Sequence, residues 1–170
     1  MVVAPAPGIR HASGVGVRDA TLADLAALID VQQLGAVRAV GHIFPQDEYP
    51  FPREDLRARW AAEIADPGIE AYVVDDDAGA IVGFAALRGD ELLHFGTAVE
   101  TWGTGLAAEV HGDLMRRLAA RHVTRARLRV FEENHRARRF YQKLGWLPTG
   151  RVSRTSFPPR PLLLEYALDL

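Results

Sequence analysis

The chain has 170 residues, 48% hydrophobic and 25% charged, with a formal net charge of −2, as expected for one globular domain rather than a disordered or fibrous protein. It contains no cysteine, which excludes disulfide frameworks, thiolate metal sites and cysteine nucleophiles. No apolar run is long enough to span a bilayer and no signal-peptide pattern is present, so we expect no membrane association and a cytoplasmic location.

The charges are unevenly distributed along the chain. Residues 1–100 hold 16 acidic and 7 basic side chains, whereas residues 101–170 hold 6 and 13. One interpretation is a cationic region for a phosphorylated ligand beside an acidic region for a cationic one. The other is an arginine-rich composition on solvated surfaces. Nucleic acid is not favoured as a partner, because the net charge is negative and the arginines lack interleaved aromatic residues.

The N-terminal part predicts a short leader followed by a strand and a helix. Residues 1–14 are rich in Ala, Pro and Gly and predict a mobile leader, so residues 15–170 are interpreted as one domain. Alternating valines at 15–19 predict the first strand. Thr21, followed by Asp24 three residues later, predicts the start of a helix that continues to about residue 37.

A loop, a second helix and three strands follow. Residues 41–52 contain three prolines among aromatic residues and acids, a pattern typical of a structured loop. That loop either forms the wall of a pocket for an organic amine or only packs against its neighbours. Apolar spacing predicts a helix over 53–65. Short turns make the strands at 71–74, 81–87 and 91–99 an antiparallel meander.

A glycine-containing turn at 100–105 leads from the third of these strands into a helix. Leu106, Val110, Leu114 and Leu118 lie along one stripe of that helix. A glycine turn at the start of a helix can direct backbone N–H groups and the positive end of the helix dipole toward a phosphate. The same pattern is also typical of an ordinary tight turn, so it does not decide the function alone.

The remaining elements complete a mixed sheet. Apolar residues alternate with arginines over 125–131 and predict a strand, which a right-handed crossover through the preceding helix makes parallel to the third meander strand. Asn134 predicts the N-cap of a further helix, and Gly145 predicts its end. Two more strands are predicted, at 146–151 and 162–168.

The order of the elements and two motifs resemble the GNAT superfamily of acetyl-coenzyme A dependent N-acetyltransferases, over roughly residues 15–168. The family's Arg/Gln-x-x-Gly-x-Gly/Ala motif stands here as WGTGLA, from Trp102 to Ala107. Its Asn-x-x-Ala-x-x-Phe-Tyr-x-x-x-Gly-Phe region stands at 134–146, with Trp146 in place of the last Phe. Trp102 replaces a polar or cationic residue, so phosphate binding is expected to rely on backbone N–H groups of Gly103 to Ala107.

The resemblance implies an α/β (α+β) fold with a GNAT-like mixed, mostly antiparallel sheet of six to seven strands and about four helices. It implies acetyl-coenzyme A as co-substrate and no metal ion. Strands 91–99 and 125–131 would splay apart, and backbone groups of Thr97, Ala98 and Val99 would pair with the pantetheine arm as an added strand does. The implied coenzyme-binding residues are Thr97, Ala98, Val99, Trp102, Gly103, Thr104, Gly105, Leu106, Ala107, Asn134, Arg136, Ala137 and Tyr141.

Acyl transfer from a thioester to an amine requires a neutral amine, a polarised carbonyl and a proton for the departing thiolate. An alkylamine with a pKa of about 10 is mostly protonated at neutral pH, so a base is needed. By resemblance, the base often lies on the strand before the phosphate loop, at the position of Glu91. His94 is on the same strand and, with strict alternation, points to the opposite face. A solvated Glu91 and a packing His94 are the structural alternatives.

Tyr141 is the candidate acid. A phenol positioned against the sulfur can give a proton to the thiolate, although a core aromatic residue is the alternative. Together these features predict direct transfer of an acetyl group to a primary amine, first of a small molecule, since no cysteine can carry the acyl group. A protein N-terminus or lysine is the second acceptor class. A non-catalytic acyl-coenzyme A sensor is the alternative from another class, and a homodimer is expected from the family alone.

Overall fold

The computed structural model of the chain describes residues 9–10 and 15–170. Eight strands are present, β1 (Ile9–Arg10), β2 (Gly16–Asp19), β3 (Glu70–Asp75), β4 (Ile81–Arg88), β5 (Glu91–Thr97), β6 (Arg125–Phe131), β7 (Leu147–Arg154) and β8 (Leu162–Asp169). The α-helices are α1 (Leu25–Val40), α2 (Arg53–Ala65), α3 (Leu106–Ala120) and α4 (His135–Lys143).

All eight strands form one sheet in the order β1-β2-β3-β4-β5-β6-β8-β7. Only β5 and β6 pair in parallel, so the predicted mixed, mostly antiparallel sheet with four helices is confirmed. Seven strands have four residues or more, and the two-residue β1 pairs with β2. This strand lies in the segment predicted as a leader, whose other residues, 1–8 and 11–14, lie outside the described residues.

The predicted element boundaries are closely matched where local signals are strong. The N–H of Thr21 donates to Asp24 at 2.8 Å and starts a 3₁₀ turn that continues into α1. Helix α2 begins and ends at the predicted residues. Strand β5 is two residues shorter than predicted, because the chain turns at Ala98 into a 3₁₀ turn at Val99–Thr101.

Helices cover both faces of the sheet, and each face has its own core. On the α1/α2 face, Leu28, Ile29 and Trp60 are fully buried against β3 and β4. On the α3/α4 face, the predicted stripe of α3 is buried against the other side of the sheet. The burial of these apolar side chains is the dominant contribution to the stability of the fold, at roughly 25 cal/mol for each Å² of apolar surface removed from water.

Strands β5 and β6 separate after a short paired segment. Their only parallel pairs are Glu91 with Arg127 and Leu92 with Leu128, although β5 continues to Thr97. We call the opening beyond these pairs the splay. It has the predicted position, and it exposes edges of two strands that no other described strand covers.

A β-bulge in β5 changes which way His94 points. Leu87 pairs with Leu92 and Ala86 pairs with His94, which leaves Leu93 as an extra residue. Glu91 faces the same side as Arg88, and His94 the same side as Ala86, so both lie on the α1/α2 face. The expectation that Glu91 and His94 face opposite sides of the sheet is wrong, because the bulge breaks the two-residue alternation.

Among the described residues, no helix is both long enough and apolar enough to cross a membrane.

Candidate active site

The glycine turn between β5 and α3 is shaped to receive an anion. Gly103 and Gly105 have φ angles of 81° and 94°, a left-handed conformation that favours glycine. A Cβ built on either residue would meet no atom within 4 Å, so the turn borders open space. The first N–H groups of α3 have no partner within the helix and point out of its N-terminus. A turn of this geometry leaves room for an anion at the start of α3.

Trp102 fixes the turn and carries a cation. Its indole Nε1 donates to the carbonyl of Thr97 at 3.0 Å. The guanidinium of Arg136, from the first turn of α4, lies 3.9 Å from the centre of the Trp102 ring. Arg136 thus brings a positive charge beside the glycine turn, where the first motif itself lacks one. Arg136 is one of the residues predicted to bind coenzyme A, and its position beside the turn is compatible with that prediction.

The three residues predicted to pair with pantetheine differ in their backbone environment. Ala98 donates to Val82 at 2.8 Å and accepts from Thr101 at 2.9 Å, so its backbone groups are paired within the chain. The carbonyl of Val99 accepts from Trp102. Because Ala98 donates toward β4, alternation directs the backbone groups of Phe95 and Thr97 into the splay. The free edge is therefore earlier in β5 than predicted.

Asn134 joins β6 to α4 as an N-cap. Its side-chain oxygen accepts from the N–H of Ala137 at 3.1 Å, as the sequence predicts. The cap orients α4 so that Ala137 and Tyr141 pack against the core of the α3/α4 face. Arg136 points the other way and is exposed.

Tyr141 lies in an aromatic cluster on the α3/α4 face. Its ring centre is 5.2 Å from that of Phe140, 5.9 Å from Trp146 and 6.4 Å from His111. Burial raises the pKa of the Tyr141 phenol above its usual value of 10, because the charged phenolate is disfavoured away from water. The phenol consequently keeps its proton at physiological pH, as a proton donor must.

His111 supports this cluster and was not predicted from the sequence. It is 4% exposed, and its Nε2 accepts from the indole Nε1 of Trp146 at 2.9 Å. Burial lowers the pKa of His111 to about 4, so the ring is neutral at pH 7. It follows Val110 of the apolar stripe of α3, and nothing in the sequence around it indicated that this histidine would be buried.

His94 forms a pair with Glu63 of α2. Its Nε2 lies 2.8 and 3.0 Å from the two carboxylate oxygens, and the side chains are only 18% and 13% exposed. Its ring centre is 4.9 Å from that of Trp60. Glu63 was not predicted as a site residue, since nothing in the α2 pattern distinguishes it from a solvated helix glutamate.

Glu91 is engaged by arginines. Its two carboxylate oxygens accept from Arg88 and Arg129, each at 3.0 Å. It lines a cavity of about 370 Å³ on the uncovered part of the α1/α2 face, together with Arg127 and Arg151. A cationic amine would meet mainly guanidinium groups there, which does not favour it as a ligand.

Contacts made by the 41–52 loop and by α2 enclose the α1/α2 side of the splay. From the 41–52 loop, His42 Nε2 lies 3.0 Å from the carbonyl of Glu133, and the Phe44 ring packs edge-on to Phe131 at 5.4 Å. From α2, Arg59 lies 4.9 Å over the ring of Phe157 in the loop between β7 and β8. The 41–52 loop thus spans the end of β6. Within the described residues, no group of three or more His, Asp or Glu side chains is arranged to bind a metal ion.

The parallel pair that splays, the glycine turn at the start of α3 and the capped helix α4 together define an acyl-coenzyme A binding fold. A model of the acetyltransferase (GNAT) family matches residues 37–146, which is more than half of the chain. The chain belongs to this family and is an N-acetyltransferase of the GNAT type, an enzyme class that uses acetyl-coenzyme A.

Solved structures share the fold at low sequence identity. A GCN5-related N-acetyltransferase from Rhodopseudomonas palustris has a TM-score of 0.75 and 17% identity, covering 100% of this chain and 99% of the other. Spermidine N-acetyltransferase from Vibrio cholerae, with coenzyme A and spermine, has a TM-score of 0.68 and 17% identity, covering 91% and 95%. The ribosomal-protein-S18-alanine N-acetyltransferase from Escherichia coli has the same score and identity, covering 91% and 93%.

A sequence search against curated proteins found no significant match.

Proposed function

We propose that the chain transfers the acetyl group of acetyl-coenzyme A directly to a primary amine of a small molecule. The observation that carries this proposal is the splay, whose two sides differ in chemistry. The α3/α4 side has Tyr141 and the glycine turn, whereas the α1/α2 side has His94 and Glu63. A thioester and an amine can therefore approach the same gap from opposite faces of the sheet.

On the coenzyme side, N–H groups of the segment from Gly103 to Ala107 would bind the phosphates, with help from Arg136 on the Trp102 ring. Two of these groups have partners within the chain, since Thr104 donates to the carbonyl of Thr101 at 3.2 Å and Leu106 to the hydroxyl of Thr104 at 3.3 Å. Phe95 and the N–H of Thr97 would offer backbone partners to the pantetheine amides, with Asn134 at the opposite edge, whereas the carbonyl of Thr97 already accepts from Trp102. The remaining predicted contacts, those of Thr104, Leu106, Ala107 and Ala137, belong to the same two helix starts. Bound acetyl-coenzyme A supplies the thioester.

The chain's own residues handle the protons. A base on the α1/α2 side removes one proton from the ammonium form of the acceptor and passes it to water. The neutral amine then bonds to the carbonyl carbon as the C–S bond breaks, and the second proton that its nitrogen loses replaces the one given to the thiolate. Tyr141 is the residue that would donate a proton to the departing thiolate. No covalent acyl-enzyme step is needed, so the amine attacks directly.

A small acceptor is favoured by the enclosure of the α1/α2 side. A polypeptide acceptor needs an open groove in which several residues lie extended. Here the 41–52 loop contacts the end of β6 and the turn after it, through Phe44 on Phe131 and His42 on Glu133. These contacts close the end of the splay where such a groove would run. One of the similar structures is a spermidine N-acetyltransferase, whose acceptor is a small amine.

Release of free thiol on mixing the protein with acetyl-coenzyme A and a panel of amines tests the proposal. We expect thiol release to depend on a small primary amine and to yield an equimolar N-acetyl product. Turnover only with peptides would identify a protein acetyltransferase instead. Tight coenzyme binding with no turnover on any amine would indicate a sensor and overturn the proposal.

A further inference from the structure

We propose that Glu63 is a positioning residue that holds His94 as the general base for the acceptor amine. This inference rests on the proposed function and adds a second residue, from α2, to the acceptor side of the site. It starts from the bulge at Leu93, which turns His94 onto the α1/α2 face, where the amine would approach.

The hydrogen bond between the two side chains fixes the state of the imidazole. A carboxylate can only accept, so the Nε2 of His94 that lies 2.8 Å from Glu63 carries the hydrogen. Nδ1 is then the nitrogen with a free lone pair. It takes a proton from the ammonium form of the acceptor before the neutral amine attacks, and the resulting positive charge lies beside the carboxylate of Glu63. The pair carries a net charge of −1 before the transfer, is neutral while His94 holds the substrate proton, and returns to −1 when that proton passes to water.

The pair is held rigidly by its neighbours. Trp60 packs against the His94 ring, and its own indole Nε1 donates to Gln32 of α1 at 2.9 Å. Both side chains of the pair are more than four-fifths buried, so little rotamer freedom remains to be lost when an amine binds. The groups that face His94 from adjacent elements are Glu63 and Trp60 from α2 and Ala86 from β4.

Glu91 is the competing base, and its contacts argue against it. It lies on the same face, but both of its oxygens already accept from guanidinium groups, those of Arg88 and Arg129. A proton from the amine would have to displace one of these ion pairs. The cavity around Glu91 would also repel a cationic amine.

The first experiment compares acceptors of different basicity. An alkylamine needs a base, whereas a nucleophile that is already neutral at pH 7, such as hydroxylamine, does not. His94→Gln should lower kcat for the alkylamine by about 10²-fold or more and Glu63→Gln by about tenfold, with much smaller losses for hydroxylamine. Glu63→Asp should recover part of the loss. Glu54→Gln, an exposed glutamate of the same helix, should leave both rates unchanged.

Equal losses for both nucleophiles, or a loss in Glu91→Gln as large as that in His94→Gln, would overturn the assignment. The second measurement does not use activity. Nitrogen-detected NMR of the unmodified protein should find His94 with its hydrogen on Nε2, and Glu63→Gln should alter that signal. A hydrogen on Nδ1 would refute the role of Glu63 even if the protein is an active acetyltransferase, whereas absence of turnover on every amine would refute the proposed function instead.

Discussion

Replacing Arg136 by alanine should weaken the binding of coenzyme A about tenfold. Its guanidinium lies 3.9 Å from the Trp102 ring centre and beside the glycine turn, and it is exposed to solvent. A hydrogen bond to a charged group contributes about 1.5–3 kcal/mol, and solvent screening favours the lower end of that range. A loss of about 1.4 kcal/mol corresponds to a tenfold change in Kd.

Titration calorimetry with two ligands isolates the contribution. Coenzyme A carries phosphates and pantetheine does not, so Arg136→Ala should change the Kd of the first and leave that of the second within about twofold. Arg139→Ala removes an exposed arginine of the same helix and serves as the matched control. Arg136→Lys keeps the charge but loses the planar stacking on Trp102, so an intermediate affinity is expected.

The salt dependence provides an independent check. Because a phosphate contact is electrostatic, the affinity of the unmodified protein for coenzyme A should fall more steeply with ionic strength than that of Arg136→Ala. If Arg136→Ala weakens pantetheine and coenzyme A equally, or behaves like Arg139→Ala, then Arg136 has no part in phosphate binding. The glycine turn would in that case act through backbone groups alone.

Three further predictions concern the remaining parts of the site. Tyr141→Phe should lower kcat by about 10²-fold while the Kd of coenzyme A stays unchanged, and equal turnover would remove it as the acid. Gly105→Glu should abolish coenzyme A binding. Gly79→Glu, at another glycine with a positive φ angle (81°), is the control and should leave the affinity unchanged. Unchanged binding in Gly105→Glu would refute the assignment of the phosphate site. Burial lowers the pKa of His111 to about 4, so the unfolded chain binds more protons than the folded chain between pH 6.5 and 4. As pH falls through that window, this histidine lowers the free energy of unfolding by about 3 kcal/mol. Urea denaturation should find a smaller loss between pH 7 and 4.5 in His111→Gln, and an identical loss would contradict this account.

Local patterns predicted most of the fold. The ends of α2, the cap at Asn134 and the buried stripe of α3 depend on neighbouring residues in the chain, and each is confirmed by the structure. The splay between β5 and β6 follows from the order of the elements and the resemblance to the family. These features can be predicted without knowing which residues that are distant in the sequence are in contact.

The parts that sequence reasoning missed depend on backbone irregularity or on contacts between distant residues. Leu93 is an ordinary strand residue, and nothing in its neighbours predicts a bulge there. Glu63 and His94 are 31 residues apart, and only the packing of α2 on the sheet brings them together. The stacking of Arg136 on Trp102 likewise joins two motifs whose separate patterns do not specify it.

The bulge makes β5 one residue longer than the segment of β4 with which it pairs. If Leu93 were deleted, Leu92 and His94 would become consecutive residues opposite Leu87 and Ala86, so His94 would stay on the face of Glu91 and Glu63. Deletion of Phe95 would instead place His94 opposite Ala85 and turn it toward the α3/α4 face. In a mutational scan of this strand, deletion of Leu93 should therefore be tolerated better than deletion of Phe95.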